Sequence, residues 1–333
     1  MATPIGADTV TAIARHYIMD EIADGIYTSN VLWFRLVNAN KKVVQGGTQI
    51  ESPVQTSRPG VGGAYQGYEP LGTAPFDVLR NAAWDWKQYY IPVTVDGLTL
   101  IKTDSPMAIA NFIKTQFELA KTEFNQILGA DLYASTGVGA DVKKLDGLRG
   151  VLGDTSSTYG GITRSSATTW WNGRIDANIT SIATFTIANL QTMFGALTIG
   201  REHPTILIGR QALYNTFWSA VYGTSGANYD LQIPATGSDE ILAQAGYTNL
   251  LFNNVPFVVD SQVDGTNNGK FYMLNENHWN LVVSPRADMY LEPFQTPVNQ
   301  DAMTAKILWA GNPICTNPRL QGVAQNSATA GLA

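Results

Sequence analysis

Cysteine is all but missing: Cys315 is the only one, which excludes an internal disulfide framework and a cysteine-based zinc site. Histidine is nearly as sparse. His16, His203 and His278 are the three present, none falls in an HxH, HxxxH or HExxH spacing, and each reads as structural. Charge is low, 14% against the roughly 25% usual for soluble domains. The balance is acidic, −6, so there is no basic surface to hold nucleic acid by counterion release. No apolar run approaches a membrane span, and the opening MATPIGADTVTAIARHYIMDE lacks the basic and apolar blocks of a signal peptide. The chain reads as one made and kept in a reducing cytoplasm.

Catalytic patterns are lacking as well. No serine sits in a GxSxG elbow, and the glycines of GVGGAYQG at 60–67 have neither a strand before them, a helix after them, nor a GxxxxGK[ST]. Cys315 lies between prolines in NPICTNPR with no histidine identified as its partner, so it reads as inert. Glu51, Glu69, Asp77 and Asp85 are scattered, with no spacing that demands a paired acid and base. The NIT triplet at 178–180 carries no weight without a secretion signal. We identify no catalytic, cofactor-binding or metal-ligating residue, and read the chain as non-enzymatic.

What is present is a helix on the scale of a beam. Over 105–135, Ile109, Ile113, Phe117, Ala120, Phe124 and Ile127 recur at three or four residues, with Lys114, Gln116, Glu118, Lys121 and Glu123 on the other side. Asp104 or Ser105 can cap it and Pro106 suits its first turn. Before it, 9–24 reads as an amphipathic arm helix, and 31–37 and 48–54 as strands. The stretch 56–75 is crowded with Gly and Pro and cannot bury itself. In 78–95, Trp84 and Trp86 alternate on one parity and Tyr89, Ile91, Val93 and Val95 on the other, which predicts a bulge or twist near Lys87 and Gln88. The expectation is a projecting hairpin whose two exposed tryptophans lie on a neighbouring molecule. Low surface charge with 8 Trp and 14 Tyr fits a chain covered by copies of itself.

After the beam comes a loop over 136–174 with Gly160-Gly161 as a turn and Trp170-Trp171 as a pair. Thr186 caps a helix carrying Ile187, Leu190, Phe194 and Leu197 and closed by Gly200. A strand at 205–208, helices at 211–221 and 239–245, and strands at 250–252, 257–260 (about an Asn253-Asn254 turn), 271–274 and 280–283 follow. A last strand at 302–310 returns to the beam, and 325–333 reads as a frayed end.

This order of parts resembles a family. GGTQIESPVQ, AAWDWKQYYIPVTVDG, SPMAIANFIKTQFELAKTEFNQIL, LDGLRGVL, GGITRSSATTWW, TIANLQTMFGAL, HPTILIGRQALYNTF, LLFNNVPFVVD and KFYMLNENHWNLVV, taken together over residues 10–320, look like the major capsid proteins of tailed bacteriophages with the Hong Kong 97 fold. The resemblance implies an α+β fold. It would comprise an N-terminal arm (1–46), an extended hairpin loop (47–97), a peripheral domain with a spine helix (98–144 and 296–333) and an α/β axial domain (145–295). It implies self-assembly of pentamers and hexamers into an icosahedral shell around double-stranded DNA that the wall does not bind specifically, built in the host cytoplasm and ending in the virion. Portal, scaffolding and decoration proteins are the implied partners. Because the chain starts at Met1 close to the arm, scaffolding is expected from a separate protein. Some members crosslink Lys to Asn between subunits; Lys87 is the candidate donor, but a lysine there reads first as solvated surface. The same fold builds bacterial encapsulin compartments, the alternative here, and an α/β enzyme with scattered site residues is a further one.

Overall fold

Asn30 decides how the first described helix begins. Its extended backbone places its side chain to accept the Trp33 N–H at 3.0 Å, and helix α1 (Val31–Asn40) follows. The strand expected over 31–37 is therefore a helix. VLWFRLV is apolar without alternating, and the buried set Val31, Leu32, Trp33 and Leu36 follows a helical face. The description comes from a computed structural model and covers residues 30–57, 62–68, 78–102, 106–153, 157–176, 178–179, 184–222, 250–263 and 270–324. The expected helices at 9–24 and 239–245, His16, the caps Asp104 and Ser105, most of 56–75 and the tail 325–333 lie outside the described residues.

Strand β1 (Lys41–Val43) leads through Gly46 and Gly47, both at positive φ, into β2 (Gln49–Gln55). β2 pairs antiparallel with β3 (Leu79–Asp85), Gln49 opposite Asp85 and Gln55 opposite Leu79, as a two-stranded sheet of its own. β4 (Lys87–Asp96) follows after a single residue, Trp86. The change of parity read in the sequence is real: Ala82 and Trp84 are buried in β3, but Lys87, Ile91, Val93 and Val95 in β4. Its cause is a change of sheet, because β4 leaves the hairpin and pairs along its whole length with another strand.

A short helix α2 (Gly97–Lys102) precedes α3 (Pro106–Ala134), whose 29 residues span about 43 Å. Its buried stripe is Ile109, Ile113, Phe117, Ala120, Phe124, Leu128 and Leu132. Phe117 meets Phe294 edge to face at 6.3 Å. After helix α4 (Leu148–Val151), β5 (Thr158–Tyr159) and β6 (Ile162–Thr163) form a small hairpin around Gly160-Gly161, both at positive φ as a tight two-residue turn requires. Then come β7 (Arg174–Asp176), α5 (Ile187–Leu197) capped by Thr186, β8 (Ile206–Gly209) and α6 (Gln211–Tyr222). β9 (Leu250–Phe252) and β10 (Val255–Val259) are joined by Asn253-Asn254, also at positive φ. β11 (Phe271–Leu274), β12 (Trp279–Val283), β13 (Tyr290–Leu291), β14 (Ala302–Cys315) and β15 (Gly322–Ala324) complete the described chain.

Two larger sheets organise these strands. The first has β14 at its centre, with β4 on one side and β12 and β13 on the other, and β1 beside β12. The second runs β7-β15-β11-β8-β10-β9. Leu207 of β8 faces a core under α5 and α6 with Leu190, Met193, Leu213 and Phe217, while Ile206 and Ile208 face the larger core shared with the α3 stripe and the first sheet. Sheet membership departs from the segments expected from the sequence. β12 and β13, within 145–295, join the first sheet, and β15, within 296–333, joins the second. The chain thus crosses between the two sheets three times, from β4 to β7 by way of α3, from β11 to β12 and from β14 to β15, and buried Gln321 ties the last two crossings together: its amide accepts from Asn275 N–H at 2.9 Å and donates to Asn275 O at 3.1 Å.

β14 also runs five residues past the expected end, through Gly311-Asn312-Pro313. Beyond Gly311 it no longer has β4 as a neighbour, so a residue without an N–H is tolerated there. Among the described residues no helix is long and apolar enough to cross a membrane.

Candidate functional site

The β2–β3 hairpin divides into a rooted half and an outer half. At the root, Ile50, Ala82 and Trp84 are buried. Farther out Gln55, Arg80 and Asn81 are exposed, Leu79 is 62% exposed, and Tyr65 and Tyr68 beyond the strands are exposed too. Among the described residues neither outer strand edge pairs with a third strand, and a two-stranded ribbon of this kind is marginal alone.

The tryptophans do not serve as an exposed pair, which corrects the sequence reading. Trp84 is only 2% exposed and stacks edge to face on Tyr159 at 5.7 Å. Gly160 passes so close that a Cβ there would lie 2.9 Å from the indole, and Gly160 O accepts from Ala83 N–H at 3.0 Å. Trp86 is half-buried and its Nε1–H donates to Gly47 O at 3.1 Å. The segment 157–171 folds over the hairpin root and covers the ring that the strand pattern leaves bare.

Lys87 is not a surface lysine either. It is 4% exposed, and its Nζ donates to Gly137 O at 2.9 Å and Val142 O at 2.7 Å, 3.9 Å from the Asp146 carboxylate. Burial inside its own chain removes it as a crosslink donor. Asn312 completes the group: its Nδ2 donates to Asp146 Oδ2 at 2.6 Å and to Asp85 O at 3.0 Å, while its Oδ1 accepts from Asp146 N–H at 3.0 Å. Burial pushes the Asp146 carboxyl up to about 6, although Lys87 and Asn312 pull it down. Next to it, Tyr89 donates its hydroxyl to Asp131 at 2.8 Å and accepts from Leu145 N–H at 2.9 Å, and burial raises its pKa. Sequence reading missed Asp146 and Asn312, which sit in stretches with turn composition. The signal for Lys87 was present, since it shares the buried parity of Ile91, Val93 and Val95.

On the side of the first sheet away from α3, Tyr90, Leu308 and Tyr290 stand in one cross-strand row, with Tyr90 65% exposed. Elsewhere the chemically capable residues are dispersed. His203 lies edge to face with Phe194 at 6.4 Å, and His278 Nε2 is 3.6 Å from Glu202 at the rim of an open groove of about 530 Å³. Cys315 is buried, which pushes its thiol up to about 12, and its N–H donates to the Tyr159 hydroxyl at 2.8 Å. Glu51 accepts from Asn81 and Asp85 from Gln49 across the hairpin; Glu69 and Asp77 lie outside the described residues. Among the described residues no group of three His, Cys, Asp or Glu side chains is placed to hold a metal ion.

No protein-family profile and no curated protein sequence matches the chain. Solved structures do. The capsid asymmetric unit of cyanophage A-1(L) aligns with a TM-score of 0.66 at 17% identity over 91% of this chain and 94% of that one. The holo-SrpI encapsulin complex from Synechococcus elongatus PCC 7942 aligns at 0.55 with 12% identity, covering 87% and 86%. The capsid of a native GTA particle aligns at 0.54 with 12% identity, covering 89% of each chain. From its hairpin root to its second sheet, this chain therefore has the α+β Hong Kong 97 fold found in capsid and encapsulin shells.

Proposed function

We propose that the chain is a major capsid protein that assembles with copies of itself into an icosahedral phage head around double-stranded DNA. The observation that carries this is the hairpin: its root is anchored in the chain's own core, while its outer half exposes Leu79, Arg80 and Asn81 and, among the described residues, pairs with no third strand. In a shell of this fold that half lies over an adjacent subunit. The loop at 47–97, the peripheral domain built on α3 and the first sheet, and the axial domain built on the second sheet with α5 and α6 take the roles expected of them. A net charge of −6 suits a wall that encloses DNA loaded by a motor without gripping it. Pentamers and hexamers of this chain, a portal, a separate scaffolding protein and a decoration protein are the partners of this reading. The virion is its destination, after assembly in the host cytoplasm.

The second reading, a bacterial nanocompartment, is favoured by the likeness to the encapsulin; the higher TM-score of the cyanophage capsid supports the phage reading. Electron microscopy of the purified protein tests both. Closed shells containing nuclease-protected DNA are expected from infected cells, whereas shells filled with one cargo protein would favour the compartment. Deleting residues 60–72 should leave a soluble, folded subunit that forms no stable shells. Normal shells from that deletion would refute the role given to the hairpin.

A further inference from the structure

Five segments of the chain converge where the hairpin leaves the body. β3 contributes the Asp85 carbonyl, β4 the Lys87 ammonium, and the turn after α3 the carbonyls of Gly137 and Val142. The residues before α4 contribute Asp146, and β14 contributes Asn312. All three side chains are buried. Only Trp86 separates the strand that belongs to the hairpin from the strand that belongs to the first sheet, so the direction of the hairpin is set by torsions at that residue and its two neighbours.

We propose that Lys87, Asp146 and Asn312 are positioning residues for assembly, which fix the angle at which the β2–β3 hairpin projects from the subunit. The proposal rests on reading the hairpin as the contact with a neighbouring subunit. Apolar burial is indifferent to direction, whereas hydrogen bonds and ion pairs hold only at defined angles. Asn312 reaches across the junction: it holds the last carbonyl of the hairpin on one side and the Asp146 carboxylate, which faces Lys87, on the other. The charged groups around that carboxylate are Lys87 from β4 and Asp85 from β3. Gly137 is bound to the arrangement as well, because a Cβ there would run into Asp146. Charges in such a place are poor sources of stability, since desolvation offsets most of their attraction, and an apolar substitute of similar size is often as stable. Their value lies in geometry.

The test separates geometry from stability. Lys87→Met combined with Asp146→Asn removes both charges and leaves no uncompensated ion. The unassembled variant is expected to melt close to wild type, with unchanged amide exchange in α3 and β14 but about tenfold faster exchange in β2 and β3. Under assembly conditions it should yield no shells, or shells of mixed diameter. A merely structural role would lower the melting temperature and leave the diameter of any shells unchanged. Wild-type exchange in the hairpin together with uniform shells of wild-type diameter would overturn the proposal. Should the double variant fail to fold, Asn312→Ser, which releases the Asp85 carbonyl and keeps both charges, gives the same two readouts and decides. If wild type itself forms no shells, the reading as a coat protein fails; hairpin exchange in the free subunit still judges the role of the three residues.

Discussion

Trp84→Ala distinguishes a hairpin anchored by its own subunit from one that is free until a neighbour covers it. The indole is 2% exposed, packs edge to face on Tyr159 at 5.7 Å, and Tyr159 in turn stacks on Trp171 at 5.8 Å. Truncating a buried tryptophan costs about 3–5 kcal/mol, of which the ring pair itself supplies roughly 0.5–1.5. Leu79→Ala in the same strand, at a side chain 62% exposed, should cost no more than about 0.5 kcal/mol. The unassembled subunit is the species to measure, by far-ultraviolet circular dichroism in a guanidinium series, with both variants beside wild type. Gly160→Ala attacks the same contact from the opposite side: its φ is +57° and its new methyl would sit 2.9 Å from the Trp84 ring, so a loss of about 1–3 kcal/mol is expected. If Trp84→Ala were no more costly than Leu79→Ala, Trp84 would lie outside the subunit's core, and the account of the root given above would be wrong.

Ile113→Asp, in the middle of the α3 stripe, should abolish folding of the subunit, because an uncompensated carboxylate in that core costs several kcal/mol. Leu119→Asp on the outer side of the same helix, at a residue 61% exposed, should change the melting temperature little; equal effects would refute the assignment of the buried side. Asp146 gives a pH dependence. Its carboxyl is raised from the usual 3.8 to about 6, so the folded chain keeps a proton that the unfolded chain has lost between those values. The stability this group contributes is full below about pH 4 and is lost as pH rises through about 6, by roughly 3 kcal/mol. Denaturation of wild type and Asp146→Asn from pH 4 to 7 should show wild type losing ground by about that amount, and a difference independent of pH would refute it.

Much of the fold was legible wherever one local signal was strong enough to outvote its surroundings. The α3 stripe, the Thr186 cap, the positive-φ turns at Gly160-Gly161 and Asn253-Asn254, and the parity change at Trp86 are all set by neighbours within a few residues. What escaped depends on partners far along the chain. Residues 31–37 read as strand because an apolar run has no period of its own; the Asn30 cap and the contact of Trp33 with Trp309 at 5.6 Å settle it as helix. The last strand was expected to end at 310, short of Asn312 and Pro313, yet β12 pairs with both, and Asp146 and Asp85 hold the Asn312 side chain. Trp84 was expected on the surface because nothing local announces that 157–171 returns to cover it. At the site, Lys87 illustrates the same limit: it was read as solvated surface although it shares the parity of Ile91, Val93 and Val95, because nothing local announces the carbonyls of Gly137 and Val142 that let a lysine be buried there.

The last two passages of the chain between its two sheets have a mechanical consequence. Because β11 continues into β12 and β14 into β15, with Gln321 fastened to Asn275 between them, the halves of the subunit cannot swivel about a single strand. A pull delivered at the hairpin travels along β4 into β14 and arrives at the second sheet through both passages at once, as shear across many hydrogen bonds strained together. In the shell proposed above, a subunit built this way would pass tension to its neighbours without itself opening at the seam.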